Sequence, residues 1–366
     1  MTFERLLREI KTIKKTYPKN LMARYFDENY FNGLDEALRH KIVKIIASGV
    51  QNPDSEMGMY AMDASDYDLF TPLFDPMIRH FHEIPDHKND YSKQSWSTNG
   101  VSFDLSQIDT RLKNNSMRVR VARNISTLPL PGAMKKEQRI AFENSVAEAC
   151  FDLAGQAEFG GAYYSLTPNS PYQMNEAEYQ ARVNAHQMFK DMSKDTYLKS
   201  SGISGHWPYG RGMYISQEED FLIWVGEEDH LRIMAMRTGS NLNDLFERLR
   251  VGLEYLKKQL PEFSVSKCYG NIASCPTNLG TGMRASLHLK MPILTSNGQD
   301  IQRLKEYAKP LGLMVRGVAG EHSNAGRDGM VDVSPLARLG VTEVEIMQKL
   351  YEGVAKLWAL ETAGEL

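Results

Sequence analysis

Over the first part of the chain, apolar residues fall at helical spacing. Leu6, Leu7, Ile10 and Ile13 form one stripe, and Leu38, Ile42, Val43, Ile45 and Ile46 form another. A third stretch carries Tyr67, Leu69, Phe70, Leu73, Phe74, Met77, Ile78 and Phe81, with Ser65 or Asp66 placed to cap its start. Pro72 and Pro76 fall inside it, so the pattern predicts short helical pieces separated by kinks or turns. Residues 1–92 are therefore expected to form a small all-helical domain. The polar, aperiodic stretch His87–Gly100 reads as a junction, with the linker at residues 93–104.

Beyond the junction the period changes to two. Met117–Val121 (MRVRV) alternates arginine with apolar residues, and Phe221–Val225, Leu231–Met236, Ala285–Leu289 and Met314–Val318 also read as strands. Helical stretches lie between and after them at Lys136–Leu153, Glu176–Met192, Leu242–Gln259 and Thr342–Glu361. Strands and helices interleave without strict βαβ alternation. Residues 105–366 are thus expected to be an α+β domain, a mainly antiparallel β-sheet flanked by helices.

Composition narrows the class. The chain has 366 residues, 42% hydrophobic and 24% charged, with a net charge of −3. Nothing there favours nucleic acid or a membrane surface as partner. Cys150, Cys268 and Cys275 are too few and too irregularly spaced for a disulfide framework, which points to a reducing compartment. The first twenty residues lack the apolar core of a signal peptide, and no apolar run reaches the roughly 18 residues that span a bilayer. A cytoplasmic location is the expectation.

Three segments carry candidate chemistry. Cys275–Arg284 (CPTNLGTGMR) places a thiol and two glycines ahead of an arginine that opens a strand. Glycine permits close backbone approach to an anion, and arginine grips phosphate or carboxylate with two prongs. Thr277 and nearby positive charge would lower the thiol pKa, while the plainer alternative is a buried cysteine beside a turn. Trp224–Arg232 (WVGEEDHLR) packs four ionisable side chains into the turn between two strands, where a carboxylate can face a pocket and bind a cation; the alternative is a solvated acidic hairpin. Arg316–His322 (RGVAGEH) flanks a charged pair with glycines, as a closing lid requires, or is a surface turn. Ser116–Arg120 and Tyr209–Gly212 are two shorter fragments of interest. His186 falls within the predicted helix Glu176–Met192.

Together these segments resemble those of the phosphagen kinases, the ATP:guanidino phosphotransferases, and the likeness extends over most of the chain. It is strongest to the branch that phosphorylates arginine. The resemblance implies a helical N-terminal domain and a catalytic domain of glutamine-synthetase-like architecture. It implies ATP/ADP with Mg²⁺ as nucleotide, held at Ser116, Arg118, Arg120, His186, Arg232, Arg284, Arg316 and His322. Guanidinium forks suit phosphate, and phosphoryl transfer needs mainly charge stabilisation and alignment. Mg²⁺ is expected to ride on the phosphates and keep its waters, with no direct protein ligand and Glu227 in reach through water. The resemblance places the guanidino substrate against Ser55, Met57, Gly58, Tyr60, Glu228, Cys275 and Glu321. It gives Glu228, Glu321, Cys275 and Arg232 catalytic roles, with Glu228 as general base.

The loop Asp54–Tyr60 is short and ends in a tyrosine, which in this family favours free L-arginine as acceptor. Three features depart from that branch: Glu56 where glycine is usual, Ala319 where arginine is common, and one extra residue in Ser323–Met330. Taurocyamine, creatine or lombricine kinases remain alternatives, and a non-catalytic nucleotide- or guanidine-binding protein is the reading from another class. A monomer is expected.

Overall fold

The computed structural model describes residues 2–84, 90–318 and 325–364. Seven helices make the N-terminal part: α1 (Phe3–Thr16), α2 (Leu21–Tyr25), α3 (Glu28–Gly33), α4 (Glu36–Ile45), α5 (Ala47–Gln51), α6 (Asp66–Leu69) and α7 (Thr71–His82). Helix α1 shows why these sequences are helical. Thr2 caps its first turn, Glu4 and Lys14–Lys15 complement its dipole, and Leu6, Ile10 and Ile13 are buried along one stripe. The third periodic stretch breaks at Phe70 into α6 and α7, and Pro72 sits in the first turn of α7, where a missing N–H costs nothing. The helix continues through Pro76 and does not end there.

The larger part is built on one eight-stranded sheet. Its strands are β1 (Asn115–Arg123), β2 (Ala162–Ser165), β3 (Gly212–Ile215), β4 (Phe221–Val225), β5 (Leu231–Gly239), β8 (Met283–Lys290), β9 (Leu313–Gly317) and β10 (Met330–Pro335); β6 (Val265–Ser266) and β7 (Gly270–Asn271) form a separate hairpin. The order is β2-β3-β4-β5-β1-β8-β10-β9, and every pair is antiparallel. Helices α8 (Lys136–Ala154), α9 (Glu176–Asn184), α10 (Thr196–Ser200), α11 (Leu242–Gln259), α12 (Gln302–Ala308) and α13 (Glu343–Ala363) complete the fold. The apolar face of the sheet is covered by α8, α11 and α13, and Val119, Val121, Ile233, Ala285, Leu287 and Val333 are buried beneath them.

Sequence pattern did not reveal β2, β3, β10 or α12. All four residues of β3 are buried, which leaves no alternation to read. Strand β10 does alternate but ends in Pro335. The helix expected over Glu176–Met192 stops at Asn184, because His186 turns into the left-handed region at φ 59° and the chain then drops into a methionine-rich cluster with Met188, Phe189 and Met192.

The two parts share buried surface. The core of the helical part includes Leu130, Tyr269, Ile272, Cys275, Leu279 and Leu339 from beyond the junction.

Candidate active site

Strand alternation sorts the sheet's charges onto one face. Ser116, Arg118 and Arg120 leave β1 on the side opposite Met117, Val119 and Val121. Register then carries that face across the sheet. Arg120 pairs with Arg284 on β8, Ala122 with Arg232 on β5, and Arg232 with Trp224 on β4. Asp332 on β10 pairs with His288 on one side and Arg316 on the other. The five arginines singled out in the sequence therefore share one face, and Ser116 lies at its exposed edge.

Arg120, Arg232 and Arg284 line a cavity of about 20 Å³ together with Asn278, Gly282 and Arg338. Among the described residues, few carboxylates meet these arginines. Arg284 Nη2 meets Asp332 Oδ2 at 2.6 Å, and Arg232 Nη2 meets Glu227 at 2.9 Å and Glu228 at 3.6 Å. Arg316 Nε donates to Met314 Sδ at 2.8 Å. Burial, and then mutual repulsion with Arg232 and Arg118, holds Arg120 well below the usual guanidinium range. Burial and the Arg316 charge bring Arg284 down to about 10. Arg338 is lowered by the same two causes. Burial also pulls on Arg232, but Glu227, Glu228 and Asp229 outweigh it and raise that group. Arg284 Nε is buried without a partner. So dense a cluster of guanidiniums is short of negative charge, and a polyphosphate supplies it.

A larger cavity of about 320 Å³ adjoins this face, lined by Arg118, His186, Trp224, Glu227 and Asp195 among others. His186 is exposed, and the next carbonyl, that of Gln187, accepts from Trp224 Nε1 at 2.6 Å. The sheet thereby anchors the segment that carries the histidine.

The acidic hairpin divides its four ionisable residues. Gly226 opens it at φ 71°, where an added Cβ would collide with the Gly210 carbonyl. Glu227 and Glu228 approach Arg232. Asp229 and His230 point inward and act as braces. Asp229 Oδ1 accepts from Asn124 Nδ2 at 2.7 Å and from the Ser274 N–H at 2.6 Å. His230 Nδ1 accepts from the Ile125 N–H, and its Nε2 donates to the Pro129 carbonyl. Burial pushes that imidazole down to about 4, so it is neutral. Burial first, then Asp229 and Glu227, push Glu228 up to about 8.

Cys275 lies on a loop whose carbonyls are held one after another. Tyr67 OH donates to Ala273 O at 2.7 Å, the Ala61 N–H to Ser274 O at 2.8 Å, and His82 Nε2 to Pro276 O at 2.9 Å. Arg338 Nη1 donates to Thr277 O at 3.1 Å and also to Asn278 Oδ1. Thr277 Oγ1 donates to Cys275 Sγ at 3.1 Å, as its spacing suggested. The expected fall in thiol pKa does not follow. Burial and the nearby Glu228 push it up to about 12, so the thiol is protonated. The glycines of this loop also have another task. A Cβ on Gly280 would strike the Arg338 carbonyl, so the residue is needed for packing against protein.

In the Asp54–Tyr60 loop the side chains of Met57 and Met59 are buried in the helical core, and the Glu56 and Gly58 carbonyls accept from the Leu21 and Gly49 N–H groups at 2.8 Å each. Gly58, at φ 75°, presses against Gly49, and its N–H donates to Ser55 Oγ at 3.0 Å. Tyr60 reaches toward the hairpin. Burial, then Glu228 and Cys275, raise its phenol well above the ordinary range and keep it neutral. Glu56 is exposed. Glu321 and His322, and Ala319 with them, lie outside the described residues.

Sequence reading missed Arg338, Asp332 and Asn278. Asp332 had a signal, since it interrupts the alternating MVDV of β10 as Arg118 and Arg120 interrupt β1. Arg338 had none, because it stands alone in a connection and reaches the cavity only through the fold.

Known proteins resemble the chain along its length. Residues 141–364 match the model of the ATP:guanido phosphotransferase C-terminal catalytic domain, and residues 16–79 match that of the N-terminal domain. An arginine kinase of Penaeus monodon is 35% identical over 94% of this chain and 93% of the relative. An arginine kinase of Anthopleura japonica is 36% identical over 95% of this chain, which spans 47% of that relative. Among solved structures, the duplicated taurocyamine kinase from Schistosoma mansoni superposes with a TM-score of 0.84 at 30% identity, covering 99% of this chain and 48% of that one. A lombricine kinase superposes with a TM-score of 0.83 at 29% identity, covering 95% and 94%. With both domain models matched in order and a relative at 35% identity covered over 93% of its length, the chain belongs to the ATP:guanido phosphotransferase family, the phosphagen kinases.

Proposed function

We propose that the protein is an arginine kinase, which reversibly transfers the γ-phosphoryl group of ATP to a guanidino nitrogen of free L-arginine to give phosphoarginine and ADP. The observation that carries this reading is the pairing of a guanidinium-lined sheet face with a buried carboxylate and thiol beside it. Arg118, Arg120, Arg232, Arg284 and Arg316 bind the phosphates and stabilise charge on the transferring group, with Ser116, His186 and His322 completing the nucleotide site. Arg338 joins them from the connection after β10. Mg²⁺ bound to the nucleotide supplies further neutralisation. Among the described residues no three His, Cys, Asp or Glu side chains converge on a metal site, and Glu227 is the carboxylate placed to meet the hydrated ion.

Glu228 and Glu321 hold the acceptor guanidinium and align one nitrogen with the γ-phosphorus. Glu228, with its raised pKa, accepts the proton that this nitrogen loses as the N–P bond forms and the bond to ADP breaks. Cys275 positions the guanidinium without forming a covalent intermediate. The backbone of Ser55, Met57 and Gly58, with the neutral Tyr60 phenol, receives the acceptor's carboxylate.

Arginine is favoured by the short loop ending in Tyr60 and by full-length relatives named arginine kinases. The solved structures named taurocyamine and lombricine kinases support the second reading, another guanidino acceptor. We assign residues 1–92 to the helical domain, 93–104 to the linker and 105–366 to the catalytic domain, and read the protein as a cytoplasmic monomer. No helix among the described residues is long and apolar enough to cross a membrane. The test is ADP release from Mg-ATP with L-arginine, taurocyamine, creatine, glycocyamine or lombricine, against a control without acceptor. Turnover led by L-arginine is expected. Turnover led by another guanidine would leave the chemistry and overturn the acceptor.

A further inference from the structure

One wall of the larger cavity has no task in the reading above. It is the segment after His186, where Asp195 caps the short helix α10. Asp195 Oδ1 accepts from the N–H groups of Tyr197 and Leu198 at 2.9 Å each, and this cap does not use Oδ2. Asp195 lines the cavity of about 320 Å³ together with Glu227.

Its position is tied to the acceptor loop. Tyr197 OH, in the first turn of α10, donates to Asp54 Oδ2 at 2.7 Å, and Asn52 Nδ2 donates to Ser200 Oγ at 2.9 Å. The loop that ends in Tyr60 and the helix capped by Asp195 thus share one frame across the two domains. The groups that act on the Tyr60 phenol agree with this, because Glu228, Cys275, Asp195 and Glu227 all bear on it. Carboxylates therefore line the cavity from three places: Glu227 on the hairpin, Asp191 in the segment after His186, and Asp195 at α10. A guanidinium seated at Glu228 needs only the first.

We propose that Asp195 is a specificity-determining residue that receives a second cationic group of the acceptor, the ammonium of an amino-acid guanidine. The inference rests on the guanidino-kinase reading and deepens it, since it commits the site to acceptors carrying both a guanidinium and an ammonium. Three other charged residues line the cavity, Arg118, Lys190 and Asp191. Arg118 belongs to the phosphate face. Lys190, which also lines the cavity, is exposed and free to turn to solvent. Asp191 and Glu56 are the rival carboxylates. Asp191 lines the same cavity, half-buried, with Oδ1 accepting from the Ser193 N–H at 2.9 Å. Glu56 is exposed on the acceptor loop, as Asp195 is at α10, but it does not line the cavity.

The test compares the protein with Asp195→Asn, Asp191→Asn and Glu56→Gly in the coupled assay. Acceptors are L-arginine, agmatine, Nα-acetyl-L-arginine and taurocyamine. The first two carry the second cation, and the last two lack it. Asparagine caps helices as well as aspartate does, so α10 is kept. In Asp195→Asn, KM for L-arginine and agmatine should rise about tenfold, as expected for loss of one partly solvated charge pair, with kcat within about twofold. KM for the acetylated and sulfonate acceptors should stay within about twofold, and Asp191→Asn and Glu56→Gly should leave all four so. An equal change across all four acceptors, no change with L-arginine, or the selective change arising in Asp191→Asn or Glu56→Gly would overturn the proposal. So would a wild-type enzyme that prefers taurocyamine, while the guanidino-kinase reading would stand. A wild-type protein that turns over none of the four removes that reading and the inference with it.

Discussion

The phosphate half of the site and the acceptor half are built by different means. Five arginines stand on one sheet face because β-strand alternation and register put them there. The acceptor half is gathered from a hairpin, the Cys275 loop, α10 and a loop of the helical domain, each fixed by side-chain hydrogen bonds. The halves also carry opposite electrostatic errors. One crowds positive charge without enough counter-ions, and the other buries carboxylate and thiol that prefer to stay protonated. Each half is destabilised in the way that its ligand relieves.

If this contrast is right, removing either excess charge should damage turnover and relieve strain together. The largest effect is expected for Arg120→Ala. Its kcat should fall on the order of 10³-fold, as for loss of one preorganised charge at the transition state. Its melting temperature should match or exceed that of wild type, since a repelled, buried cation is gone. A clear drop in melting temperature would show that Arg120 is held by partners and not repelled by neighbours.

Glu228→Gln comes next, with kcat down about 10²-fold, the usual worth of a general base. Its pH dependence sharpens the test. A carboxyl raised in the folded state adds stability below its unfolded value and loses it as pH climbs through the folded value, here about 8. Wild type should thus lose stability relative to Glu228→Gln between about pH 4.5 and 9, on the order of 5 kcal/mol at about 1.4 kcal/mol per pH unit. Wild-type kcat/KM for arginine phosphorylation should rise through the same range, and the variant should lose that rise. Parallel melting curves at every pH would sink the assignment.

Cys275→Ala should cost about tenfold in kcat, because a thiol that positions the guanidinium does less than a nucleophile would. Inactivity beyond about 10⁴-fold would require a covalent or proton-transfer role. The smallest effect is expected for Tyr67→Phe, which removes the bond to Ala273 O. About 1 kcal/mol of stability should go, with a few-fold rise in the arginine KM as the Cys275 loop loosens. An unchanged KM would separate that brace from the acceptor site.

The same contrast explains what could be read from sequence. MRVRV announces both a strand and its charged face, so Arg118 and Arg120 were legible, and Arg284 and Arg232 open strands of their own. The α1, α4, α11 and α13 helices announce themselves by spacing and caps. Strand β3, buried at every position, offers no period, and the helix at Glu176 ends where His186 takes a left-handed turn that no propensity encodes. Arg338 is defined by a partner 61 residues away and the inward braces Asp229, Asn124 and His230 by partners 105 residues away; local pattern does not record such partners. The thiol pKa went the other way from its local motif because burial, a property of the whole fold, outweighs one hydroxyl neighbour.

The core of the helical part closes only with Leu130, Tyr269, Ile272, Cys275, Leu279 and Leu339 in place. The two domains are therefore one cooperative unit, and heating or denaturant should melt them in a single transition seen alike by every probe. A fragment ending near residue 84 would expose the apolar surface that those six residues cover and should stay molten or aggregate. The chain then has no stable half-folded form in which an open, arginine-lined sheet could release phosphoryl groups to water.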